Sequence, residues 1–183
     1  MEKWRLRATV VALLLGIWLL ARWDGDISPE GHRWDVRMVP VTLYFGAPDA
    51  AGVAPEIRWL PVAQSDARAR LAALVEGPRS PGLSPSIPRS AVVRRIEDVG
   101  GGTIVVDFGG GIVRDHPGGS AGELITVYSV VNTLTELPGV KEVRWLIDGQ
   151  AVESLAGHLD LSRPVARSDE IIVDPRSFGP QAG

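Results

Sequence analysis

Apolar Val41, Leu43 and Phe45 alternate with Thr42 and Tyr44, the period-two signature of a half-buried strand, predicted over 39–46. A second strand over 56–62 follows the turn-rich "APDAAGVAP". Pro61 has no amide proton for a ladder, so it places that strand at an edge or marks its end. The period then changes. In "SDARARLAALVEGP" Ala67, Leu71, Leu74 and Val75 share one helical face, Ser65 stands where a cap is needed, and Gly77-Pro78 stops the helix. "RSPGLSPSIPRS" is too rich in proline and serine to be regular. Strands at 91–99 and 103–108 flank Gly100, Gly101 and Gly102 and predict a hairpin. From Ser120 a second helix lines up Leu124, Val127, Tyr128, Val131, Leu134 and Leu137, with Ser120 and Glu123 spaced as a capping box, until Pro138-Gly139. Strands at 142–147 and 150–154 enclose Asp148-Gly149, which supply the positive φ of a tight two-residue turn. From about Ser168 the chain reads as a loose tail, with only Ile171–Val173 strand-like. Together these elements predict an α+β fold, a mixed β-sheet with two main helices packed on one face.

The N-terminus obeys a different pattern. Lys3, Arg5 and Arg7 precede "ATVVALLLGIWLLA", which has no charge before Arg22. The run is shorter than the roughly 20 residues of a standard span and also fits a signal-peptide core. Trp4, Trp18 and Trp23 at interface positions, arginines able to snorkel, and the lack of an A-x-A-like cleavage site favour a retained anchor. The positive-inside rule then leaves the N-terminus in the cytoplasm and the bulk of the chain outside it. The expected organisation is a basic cytoplasmic segment at 1–7, a transmembrane anchor at 8–22, a linker at 23–38, a folded domain at 39–166 and a tail at 167–183.

Nine glycines between residues 100 and 124 raise the question of a phosphate-binding loop. A G-x-x-x-x-G-K-S/T loop needs a lysine and a hydroxyl after its last glycine, and neither follows here. A dinucleotide loop needs G-x-G-x-x-G, and after Gly109 and Gly111 the third glycine position holds Arg114. The glycines read as turns and strand ends.

Composition narrows the function classes. The net charge of −3 comes from interspersed charges without a basic block, which argues against nucleic acid as a partner. The sequence has no cysteine, and this removes disulfides, thiolate metal sites, cysteine nucleophiles and a lipid anchor on an N-terminal cysteine. His32, His116 and His158 lie in separate loop or tether segments without metal-ligand spacing, so no metal or other cofactor is expected. There is no G-x-S-x-G elbow for a serine nucleophile. Among the carboxylates Asp107, Asp148 and Asp160, Asp107 stands out because it breaks the apolar strand "TIVVDF". A carboxylate buried there needs donors, either as a loop anchor, with the helix amides near Ser120 as the expected partners, or as a site acid. No dense cluster of titratable groups suggests tuned acid and base roles, and the chain reads as non-enzymatic.

The ordered set "VTLYFGAPD", "LAALVEGP", "SIPRSAVVRRIEDVGGGTIVVDF" and "AGELITVYSVVNTLTELPGVKEVRWLIDGQAVESLAGHLDLSRP" resembles the GerMN domain over residues 39–166. The resemblance implies an extracytoplasmic α+β domain similar to small ring-building modules of secretion-type assemblies. It implies a role in sporulation or spore germination as an assembly or interaction module at the spore envelope, with envelope or spore-assembly proteins as partners and self-association as a further mode. The alternative is a domain of the general cell envelope that binds a small molecule or cell-wall fragment. The family brings no established catalytic residues. Asp107, Asn132, Asp148 and His158 match its motifs and are the candidate binding residues, with a purely structural role as the competing reading.

Overall fold

The computed structural model describes residues 37–178; the basic segment, the apolar run at 8–22, most of the expected linker and His32 lie outside them. Among the described residues no helix is long and apolar enough to cross a membrane. The fold is α+β. Strands β1 (Met38–Gly46) and β2 (Val53–Pro61) pair antiparallel as a two-stranded sheet. Helix α1 (Ala67–Glu76) follows, then β3 (Val93–Asp98), β4 (Thr103–Phe108), a single turn α2 (Gly111–Arg114) and the long helix α3 (Ser120–Leu134). The chain ends with β5 (Glu142–Ile147), β6 (Gln150–Ala151) and β7 (Val165–Ala166). In the second sheet β3 and β4 are antiparallel, β4 and β5 parallel, and β6 and β7 both pair antiparallel with β5. The parallel pair needs a crossover, which α3 supplies.

The expected single sheet is therefore two, and the helices do not share one face of it. β1 needs no further strand neighbour because Pro40 lacks a donor, the Tyr44 amide donates to Thr133 Oγ1 at 2.9 Å, and Gly46 bridges to Ser84. α1 touches β1, β3 and α3, while α3 touches β1, β2, β5 and α1, so each helix bridges both sheets. One apolar core results, with Leu43 and Phe45 from β1, Leu71 and Leu74 from α1, Val127, Val130 and Leu134 from α3, and Val106, Phe108 and Trp145 from the mixed sheet, all fully buried. The Phe108 and Trp145 rings stack at 5.2 Å.

Local chemistry explains most boundaries. Asp148 (φ 50°) and Gly149 (φ 79°) form the expected tight turn between β5 and β6, although β6 is only two residues long. Gly77 at φ 99° ends α1 as expected, but the cap at its start is Asp66, whose carboxylate accepts from the Ala69 amide, and not Ser65. The segment expected as a loose tail is docked. The Val53 amide donates to Ile171 O at 3.0 Å and the Val173 amide to Val53 O at 2.8 Å. Gly52 makes this approach possible, since a Cβ there would lie 2.2 Å from Ile171 O. Tyr44, Val53 and Ile125 form a small apolar cluster against which Ile171 and Ile172 pack.

Candidate functional site

Asp107 and Asp148 are brought together where β4 ends and β5 turns into β6. Asp107, at the buried end of β4, accepts from the Gly149 amide at 2.8 Å. The helix amides near Ser120 are not its partners: β4 lies beside β5 in register, and this places Asp107 against the β5–β6 turn. Arg94 of β3 reaches across with its Nε 4.0 Å from Asp107 and its Nη1 2.5 Å from Asp148. The second oxygen of Asp148 accepts from the Gly110 amide at 3.1 Å, and the Asp148 amide donates to Phe108 O. The glycine loop 109–111 is thus held by protein acceptors, with the Gly109 amide on Val92 O, and it turns the chain from β4 into α2.

Asn132 is fully buried on α3 and belongs to a different set of contacts. Its Nδ2 donates to Ser168 O at 2.8 Å and its Oδ1 accepts from the Ser168 amide at 3.2 Å, a side-chain imitation of a strand ladder that holds the C-terminal segment. Beside it Arg167 donates to Glu136 at 2.9 Å and to the Tyr44 hydroxyl at 2.8 Å, with its guanidinium 5.3 Å from the Tyr44 ring centre. Burial pushes the Tyr44 hydroxyl above its ordinary pKa. His158 is exposed. Its ring lies at a depression of about 430 Å³ near Ser154, Asp160 and Ser162, and only its amide enters the architecture. Among the described residues no three His, Asp or Glu side chains converge as metal ligands.

The sequence reading missed the Glu56–Arg58 pair, and it did not find the structural partners of Glu123 and His116. Glu123 does not close a capping box. Gly119 occupies the cap position, and the fully buried Glu123 carboxylate accepts from the amides of Leu155 (2.7 Å), Ala156 (2.9 Å) and His158 (2.7 Å). Burial raises its pKa, but these backbone donors outweigh it and hold the group below the ordinary value. The signal was present in the spacing, because Glu123, Val127, Val130 and Leu134 form one buried stripe. In β2 the inward residues are Glu56 and Arg58, a buried pair at 2.6 Å. Glu56 also accepts from the amides of Arg79 (2.8 Å) and Ser80 (2.6 Å), while Arg58 donates to Ala73 O and Gly77 O at the end of α1. Burial pushes Glu56 up, and the Ser80 amide with Arg58 and the Arg79 amide brings it below the ordinary value. Finally, His116 Nδ1 accepts from the Gly118 amide at 2.9 Å. Its proton therefore lies on Nε2, 3.1 Å from Thr126 Oγ1, whose hydroxyl donates to Ser86 O. Burial holds the His116 pKa below its ordinary value.

The family profile described as Germane, sporulation and spore germination, matches residues 42–153, which is 112 of 183 residues. The tandem GerMN domains of the sporulation protein GerM from Bacillus subtilis superpose with a TM-score of 0.58 at 23% identity, over 72% of this chain and 45% of that one. The chain thus spans about half the length of that tandem structure. The first GerMN domain of the same protein gives 0.57 at 24% identity, over 72% of this chain and 98% of that one, which shows a shared fold. No curated protein matches the sequence.

Proposed function

The chain belongs to the Germane family of sporulation and spore germination domains, and from that premise we propose that it is a non-catalytic assembly module at the spore envelope. In this reading residues 8–22 anchor it in the membrane as a single-pass helix and the domain works on the extracytoplasmic side, against envelope or spore-assembly proteins or further copies of itself. The observation that supports a non-catalytic role is the engagement of the buried carboxylates. Glu123 holds three amides and Glu56 two amides and a guanidinium, so their oxygens position loops. A general acid or base needs an oxygen free to meet a substrate proton.

A C-terminal fluorescent fusion that folds outside the cytoplasm tests this reading through a sporulation time course. The expected result is a signal confined to the membranes around the developing spore. A uniform signal around vegetative cells would favour the alternative, a general envelope domain that binds a small molecule or cell-wall fragment. That alternative draws on a depression of about 500 Å³ beside Ser120, Tyr128 and Ser168.

A further inference from the structure

The two sheets present opposite chemistry to solvent. The outward side of the mixed sheet is charged: Arg95 pairs with Glu97, Thr103 donates to Glu142, and Arg144 is exposed. The outward positions of the hairpin sheet are Met38, Pro40 and Thr42 on β1, opposite Pro61, Trp59 and Ile57 on β2, and none of the six is charged. Ile57 is 66% exposed, Trp59 62%, Met38 45% and Val62, directly after β2, 46%. The fold does not require these side chains to be apolar, because Glu56, Arg58 and Leu60 occupy the inward side of β2. An uncharged patch centred on an exposed tryptophan marks a contact surface.

We propose that this face rests on a lipid bilayer, with Trp59 at headgroup level and Ile57, Met38 and Val62 at the acyl boundary. The proposal rests on the reading of residues 8–22 as a membrane anchor. Chain length favours lipid over a distant partner. Only residues 23–37 separate Arg22 from Met38, the first residue of the face, and 15 residues reach at most about 50 Å. The Val62 amide donates to Arg37 O at 2.8 Å, so the chain joins the domain at the end of β2 that carries Trp59 and Val62. A tether this short gives the face a high effective concentration at the bilayer, where a weak intrinsic affinity suffices. Tryptophan is also the side chain most at home at a membrane interface.

The sequence has no cysteine, so Ile57→Cys and Arg144→Cys each give one nitroxide site in the full chain. The labelled chains are reconstituted in vesicles of phosphatidylethanolamine and phosphatidylglycerol. The expected result is a several-fold higher ratio of oxygen to aqueous nickel-chelate relaxation at 57 than at 144. Equal water access at both sites, in chains that float with the vesicles, would overturn the docking and leave the anchor standing. Chains that do not float would remove the anchor and the proposal with it. Spin–spin broadening at 57 that unlabelled chain relieves would place a second copy on the face and also overturn it. Val62→Cys repeats the measurement if the first variant misfolds.

Discussion

Glu123 shows how one side chain fixes a loop that has little regular structure of its own. Both of its oxygens face backbone amides in 155–158, a stretch whose apolar contribution to the core is Leu155. Glu123→Gln keeps the length of the side chain and turns one acceptor into a donor facing another donor. The expected cost is about 3 kcal/mol, a lost charge-assisted bond plus an unsatisfied buried amide, read as a lower urea midpoint. Hydrogen exchange should speed up first at Leu155, Ala156 and His158. Unchanged exchange at those amides would mean that the loop holds itself. Asp148 and Asn132 belong to the same class of residue. Each joins segments far apart in sequence, 94 with 148 and 132 with 168, through polar atoms rather than burial of apolar area.

At the level of elements, the hairpin β1–β2 is where inside and outside are exchanged. Its period-two pattern was legible, but alternation does not say which set of positions faces the core. Apolar residues inward is the default reading for Ile57 and Trp59, and the structure places Glu56 and Arg58 inward. Arg58 closes the end of α1: its guanidinium, 5.2 Å from the Phe45 ring centre, donates to Gly77 O just past the helix and adds a second donor to Ala73 O, which already accepts from the Gly77 amide. Arg58→Ala leaves Glu56 buried without its cation and is expected to cost about 3–5 kcal/mol. The double change Glu56→Leu with Arg58→Leu should recover part of that in a thermal melt, since it leaves no buried charge, while Gly77 O and the amides of Arg79 and Ser80 lose their side-chain partners. The Asp148-Gly149 turn and the bounds of β4 and β5 were readable because turn chemistry and a period of two are local signals. The split into two sheets, the docked segment at 167–173 and the partner of Asp107 were not, because each depends on residues brought close only by the fold.

Glu56, Glu123 and His116 are all held below their ordinary pKa values by the fold, and this gives stability a two-step dependence on pH. His116 titrates below its ordinary value in the folded state because burial favours the neutral ring and outweighs the nearby Glu123 charge. Unfolded chains take up that proton first, so the contribution of His116 is complete above about pH 6.5 and is lost as pH falls through the lower folded value. Glu56 and Glu123 are also held below their ordinary values, and their contribution is complete above the unfolded carboxylate range near pH 4.3. It is lost as pH falls through their folded values. Melting temperature followed from pH 8 to pH 3 should therefore decline gently below about 6.5 and steeply below about 4.3. His116→Asn keeps an acceptor near the Gly118 amide and should flatten the upper step without moving the lower one. Glu123→Gln should shrink the lower step and enlarge the upper one, because the Glu123 charge favours the protonated His116 ring and its loss lowers the folded value further. A single transition shared by both variants would show that the loop at 116–118 and the loop at 155–158 unfold as one unit.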